Sequence, residues 1–268
     1  MASAHLVDVA SEGAIAILTL ANEATRNALS VAMQKELLAA LDRVEADADV
    51  NAVILTGKGK GFCSGAELGG MRAEGDETLG ETVARQMDET THPLIERLRN
   101  FPKPVVAAVN GAAAGMGASL ALACDLVMAA ETACFVFPFA PNLGLVPDCG
   151  ATWHLVRRLG PARAMKLALT GERLSALDAQ AIGLIAETVS SDALQRRAIA
   201  LAASVGSGPP GMVAELRAAF DAALAQDFTA QLEYERQRQR VLLDSPAFAE
   251  GTQAFLEKRK PDFRKGRA

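Results

Sequence analysis

KPVVAAVNGAAAGMGASLALACDLVMAA, residues 103–130, decides the fold. PVVAAVNG (104–111) is a short apolar run rich in valine and reads as a buried strand. A stretch of small residues follows, with glycines at 115 and 117, and opens a helix. LVMAAETACFVF (126–137) returns to strand character. Strand, glycine-rich turn, helix and strand again is the alternation of an α/β core.

The same grammar extends in both directions. AIAILTL (14–20) reads as a buried strand, and NAVILTG (51–57) is another that ends in a turn and leads into GFCSGAEL (61–68). Between them, SVAMQKELLAALDRVEAD (30–47) places Met33, Leu37, Leu41 and Val44 on one face of a helix, with Ser30 as its N-cap. ETVARQMDETTHPLIERLRNF (81–101) is helical at both ends, and ATWHLVRRLGPARAMKLALTG (151–171) and SALDAQAIGLI (175–185) are helical. After the Gly/Pro break SVGSGPPG (204–211) the pattern is helical only. The expected division is therefore an α/β core over 1–205 and a helical region over 206–268.

Composition excludes several classes. The 268 residues are 50% hydrophobic and 22% charged with a net charge of −5, the profile of a globular protein rather than a nucleic-acid binder. No apolar run reaches the 18 or more residues of a membrane span, and the N-terminus lacks the basic start of a signal peptide. Cys63, Cys124, Cys134 and Cys149 form no CxxC pair, which fits reduced thiols and a cytoplasmic protein. His5, His92 and His154 show no metal-ligand spacing, so no metal is expected.

Two features carry chemistry. The first is the pair of glycine-rich strand ends, 61–68 and 110–120. Each presents backbone N–H groups, and together they can cradle a developing negative charge; the competing reading is that Gly115 and Gly117 only permit close packing. Gly115-Met116-Gly117 has no third glycine at 120, so it is no dinucleotide fingerprint. Ser64 lies in no GxSxG elbow, and no histidine has a claim to activate it. The second feature is GLVPDCGAT (144–152), which holds one carboxylate, Asp148, among apolar neighbours. An ionised carboxylate there is costly unless compensated. Asp148 reads either as the N-cap of a helix starting near Gly150 or as a working acid/base.

RNAL, GFCSGAEL, KPVVAAVNGAAAGMGASLALACDLVMAA, LGLVPDCGAT, LTGERLSALDAQAIGLI and GTQAFLEKRKPDF occur in the order found in the enoyl-CoA hydratase/isomerase (crotonase) superfamily. The chain resembles that family over nearly its whole length, and within it the ring-epoxide isomerases of phenylacetate degradation above all. The resemblance implies a spiral of ββα turns with a C-terminal helical trimerisation region, a homotrimer or homohexamer, and acyl-CoA thioester substrates. Coenzyme A is then part of the substrate, and no other cofactor is implied. The thioester enolate would be held by the backbone N–H groups of Ala66 and Met116. Arg26, Ala28, Ser64, Gly65, Ala66, Glu67 and Leu68, with Phe255 and Lys258 of the C-terminal FLEKR, would contact the coenzyme A moiety.

The departures from the hydratase pattern are informative. Where a hydratase of this family has its two glutamates, this chain has Ser119 and Ala140. Its acid is Asp148, where hydratases usually have glycine. A single carboxylate can take a proton from one carbon and return it to another, which is isomerase chemistry. Phe137, Phe139, Leu143 and Val146 are expected to desolvate it and raise its pKa. Glu67 is expected in a supporting role. Phe137, Phe139 and Trp153 fit either an aromatic acyl group or core packing, and 71–93 is expected to cover the acyl pocket. A hydratase, another crotonase-type reaction through Asp148, and a non-catalytic CoA-binding protein remain as alternatives.

Overall fold

A computed structural model describes residues 5–264. The chain divides into two compact units, Met1–Ala203 and Ser204–Ala268. The first unit is built on strands β1 (Val7–Glu12), β2 (Ile15–Leu20), β3 (Ala52–Gly57), β4 (Gly61–Cys63), β5 (Val105–Val109), β6 (Ala112–Ala114), β7 (Leu126–Ala130), β8 (Cys134–Val136), β9 (Leu174–Ser175) and β10 (Glu187–Val189). Its helices are α1 (Val31–Ala46), α2 (Leu79–Gln86), α3 (His92–Arg99), α4 (Met116–Leu122), α5 (Ala151–Leu159), α6 (Pro161–Thr170) and α7 (Ala176–Ala181). The unit boundary falls inside α8 (Leu194–Gly206). The second unit continues with α9 (Met212–Ala225), α10 (Phe228–Leu242) and α11 (Pro246–Leu256).

The strands form two sheets. One runs β1-β2-β3-β5-β7-β10 and the other β4-β6-β8-β9. Successive strands alternate between them: β3 joins the first and β4 the second, then β5 and β6, then β7 and β8. Each turn of chain thus gives one strand to each sheet and then passes into helix, which is a spiral of ββα turns. Within the first sheet β2, β3, β5, β7 and β10 are parallel, and only β1 is antiparallel. Parallel strands covered on both faces should be apolar throughout, and β5 is buried along its whole length. β1 is the opposite case. It is an edge strand with Val7 alone buried, so no hydrophobic period marks it in the sequence.

Local chemistry explains the element ends. Ser30 caps α1 by accepting from the Met33 N–H. The helical stretch 151–171 is broken by Gly160 at φ 75°, and Pro161 starts a second helix. The stretch 81–101 is α2 and α3 joined by a π turn, Met87–Thr91. The opening of the chain is tied to β4 by Asn27, which is fully buried at φ 59°. Its side-chain amide donates to the carbonyls of Lys58, Gly61 and Phe62, and its oxygen accepts from the Asn22 N–H. Asparagine tolerates the left-handed region better than most residues.

In the second unit, Asp227 caps α10 and Ser245 caps α11. The Arg238–Glu215 ion pair at 2.6 Å links α10 to α9. Leu216, Phe220, Leu224, Phe228, Leu232 and Phe248 are exposed large apolar residues of this unit.

Candidate active site

β4 and β6 are neighbours in parallel register, with Gly61 opposite Ala112 and Cys63 opposite Ala113. That pairing brings the loops after them, 64–68 and 114–117, to the same sheet end. Their approach depends on glycine. An ideal Cβ on Gly65, at φ 101°, would lie 2.8 Å from the Ala114 carbonyl oxygen and 3.5 Å from the Met116 nitrogen. One on Gly117 would meet the Cys63 oxygen at 2.4 Å. Gly115 turns the chain into α4 at φ 51°, ψ −126°. Met116 is then the first residue of α4, where the N–H has no intrahelical acceptor. Among the described residues neither the Ala66 nor the Met116 N–H has a hydrogen-bond partner.

Asp148 reaches the same place from the turn before α5. The sheet ends, α1, the 66–74 loop, the π turn and Asp148 enclose a cavity of about 440 Å³ whose lining includes Ala66, Met116 and Asp148. This volume suits an acyl group. Asp148 is not a helix cap: the N-cap of α5 is Gly150, at φ 78°, and no side chain bonds there. Instead the turn is held by its backbone. The Asp148 carbonyl accepts from the Ala151 N–H at 2.9 Å and from the Ser119 hydroxyl at 3.1 Å. Ser119 is fully buried, so the serine found where a hydratase has glutamate supports this turn from behind. Cys149 takes φ 52°, a left-handed conformation that a non-glycine residue adopts at some cost.

The carboxylate is incompletely satisfied. Its Oδ1 is buried without a hydrogen-bond partner. Burial raises its pKa above the ordinary carboxylate value, with the Cys149 thiol, its own backbone N–H and His92 pulling the other way. Of the apolar neighbours in sequence, Phe137 and Phe139 are buried, whereas Leu143 is 45% and Val146 79% exposed. The nearby thiols are no nucleophiles. Burial pushes Cys63 up to about 12 and raises Cys149 as well.

The remaining candidates separate. Glu67 lines the cavity and is exposed. Ser64 commits its hydroxyl to the Thr25 carbonyl and its N–H to the Arg26 carbonyl, which ties the two loops together. Arg26 adopts φ 55°, Ala28 is buried and Leu68 is exposed. Leu29 makes a parallel bridge to Ala66, fixing the Ala28 segment against the 64–68 loop. Phe255 and Lys258 belong to the other unit; Phe255 is exposed at the end of α11 and Lys258 takes φ 54° just beyond it. Trp153 is outside the cavity lining and stacks against the guanidinium groups of Arg99 and Arg157, at 4.9 and 3.9 Å from its ring centre. His154 is buried, and burial with three neighbouring arginines lowers its pKa to about 3, so it stays neutral. Among the described residues no three His, Cys, Asp or Glu converge to hold a metal ion.

Sequence reasoning missed two features here: the buried Asn27 and a buried polar pair in the cavity wall. Thr91 donates its hydroxyl to the Gln34 side-chain oxygen at 2.8 Å, and the Gln34 amide donates to the Leu29 carbonyl. A polar residue inside an amphipathic helix, as Gln34 is in α1, was the only signal for the second.

Residues 10–266 match the family model described as enoyl-CoA hydratase/isomerase. The chain belongs to the enoyl-CoA hydratase/isomerase family. It is 46% identical over 253 residues to a Rhodobacter capsulatus protein named "Probable enoyl-CoA hydratase", covering 94% of this chain and 95% of that one. It is 39% identical over 252 residues to the 1,2-epoxyphenylacetyl-CoA isomerase of Escherichia coli, with 94% and 95% covered. Among solved structures it is similar to an enoyl-CoA hydratase from Polaromonas sp. JS666, with a TM-score of 0.88, 37% identity, and 95% and 98% of the two chains covered. The fold of this enoyl-CoA hydratase/isomerase family member is thus the crotonase fold, with a C-terminal set of helices.

Proposed function

We propose that this family member is an acyl-CoA isomerase, of the enoyl-CoA or ring-epoxide type, with Asp148 as its single acid/base. The observation that carries the reading is the Asp148 carboxylate on the cavity wall, with a buried, unpartnered Oδ1 and a raised pKa. A carboxylate poised closer to neutrality is a better proton shuttle than an exposed one. The Ala66 and Met116 N–H groups stabilise the enolate oxygen as charge develops on it. Asp148 removes a proton from one carbon of the acyl group and returns it to another, with no metal or added cofactor. Arg26 and the 64–68 loop hold the coenzyme A moiety. The exposed apolar residues of α9, α10 and α11 support assembly as a homotrimer or homohexamer. The four buried free cysteines suit a reducing cytoplasm.

The test is isotope exchange. Incubation with an unsaturated acyl-CoA in D₂O should move the double bond and leave deuterium at the α or γ carbon. Absence of both, together with no conversion of a ring-epoxide acyl-CoA, overturns the reading. The name of the 46% identical relative favours a second reading, hydration of an enoyl-CoA. The other carboxylates lining the cavity are Glu67 and Glu74, so hydration needs one of them beside Asp148. Loss of the enoyl absorbance with formation of the hydroxyacyl-CoA, abolished by Glu67→Gln, would favour it.

A further inference from the structure

One part of the cavity wall is polar and nearly closed to water: Gln34 and Thr91. Both line the cavity, yet their exposures are only 4% and 5%. Their hydrogen-bond roles are fixed by their partners. The Leu29 carbonyl can only accept, so the nitrogen of the Gln34 amide faces it, at 3.2 Å. The amide oxygen therefore faces Thr91, whose hydroxyl must donate, at 2.8 Å. One Gln34 amide proton and the Thr91 lone pairs are left, and among the described residues that proton has no acceptor. Thr91 also ends the π turn Met87–Thr91, a local irregularity that aims residues into a site at the expense of regular helix.

We infer that Gln34 and Thr91 determine specificity, by recognising an oxygen atom carried on the acyl group of the substrate. The free amide proton of Gln34 donates to that oxygen. A hydroxyl additionally donates to Thr91, while an epoxide or carbonyl oxygen uses Gln34 alone. A pure hydrocarbon chain leaves the buried amide proton unpaired, and the site selects against it for that reason. The inference deepens the acyl-CoA isomerase reading and rests on it for the identity of the cavity.

Binding, not turnover, tests it. Saturated thioesters cannot be isomerised, so hexanoyl-CoA and its monohydroxy isomers report the wall separately from the chemistry of Asp148. Calorimetry on the full chain should show at least one hydroxy isomer binding about tenfold more tightly than hexanoyl-CoA, the yield of one net hydrogen bond. Gln34→Leu should erase that preference by tightening hexanoyl-CoA binding, because no buried amide proton is then left unpaired, while Thr91→Val should reduce it and Thr91→Ser retain it. Equal affinity of the wild-type protein for hexanoyl-CoA and every hydroxy isomer overturns the inference, as does a preference that survives in Gln34→Leu. An oxygen preference in a protein that fails the isotope-exchange test leaves the wall as inferred and removes only the isomerase reading.

Discussion

The loops that follow β4 and β6 and the turn before α5 meet at one cavity but are built in opposite ways. The loops offer backbone. In the proposed reaction Ala66 and Met116 contribute only N–H groups, although the Met116 side chain is itself buried, while Gly65, Gly115 and Gly117 around them are held by geometry. The turn offers a side chain. Asp148 is chemically irreplaceable in the proposed reaction, and its backbone is held by Ser119 and by left-handed conformations at Cys149 and Gly150. The comparison teaches where each kind of substitution acts: residue identity matters at 148, and space matters around 65 and 117.

The largest expected effect is at the turn. Asp148→Asn keeps the shape and removes the base. Isomerisation should fall by about 10² to 10⁴, the span of a general base, while thioester binding persists. Steady-state kinetics beside a binding titration checks this. Wild-type turnover in a folded Asp148→Asn protein would break the comparison at its centre.

Next comes Met116→Pro. Proline suits the first position of a helix, and Gly115 before it lies outside the α region that the proline ring disfavours, so the fold should survive. One donor is lost, which costs about 2.7–4 kcal/mol of transition-state stabilisation, or about two to three orders of magnitude in kcat. Met116→Ala, which keeps the N–H, should retain most activity. Equal losses in the two variants would mean that the side chain, not the backbone, is what the loop supplies.

The third effect is on stability. In Gly117→Ala the new methyl meets the Cys63 carbonyl oxygen at 2.4 Å and its Sγ at 2.8 Å, and backbone cannot simply step aside. Overpacking of this kind costs about 1–3 kcal/mol, so the melting temperature should fall, and activity with it as the loops separate. Gly69→Ala, with nothing near the added carbon, should do neither.

These contrasts follow what the sequence could and could not express. Strands 15–20, 52–57 and 105–109 and the α1 cap at Ser30 are written in contiguous residues, and all are legible. β4 and β6 are three residues each and β9 is two, too short for any period to develop. The glycines announced the loops, because a close backbone approach leaves a residue signature. The Asp148 turn was legible as a residue but not as a conformation. A cap and an acid/base look alike until the left-handed Cys149 and the Gly150 cap are seen. Asn27 and the Gln34–Thr91 pair were illegible because each depends on partners brought in by the fold from distant positions. Polar residues declare their burial only through such partners.

The smallest effect concerns what the turn costs the fold. The folded state raises the Asp148 pKa through burial, so it binds the proton more tightly than the unfolded chain does. Between the ordinary carboxylate pKa and the raised one, the folded protein holds more protons than the unfolded one, and stability falls as pH rises through that window. Above it the ionised, partly buried carboxylate remains a standing cost. Asparagine carries no such charge. Asp148→Asn should therefore melt slightly higher than the wild-type protein at neutral pH, with the advantage shrinking as pH drops below the ordinary carboxylate range and the wild-type carboxyl becomes neutral in both states. Thermal melts of the two proteins across that range read the difference directly. A variant that is less stable at neutral pH than at acid pH, relative to wild type, would mean that the carboxylate is satisfied in the folded protein and is not strained toward its protonated form. The same pH series of kcat/KM should show an acidic limb above the ordinary carboxylate value in the wild type, because the proposed base works only when ionised.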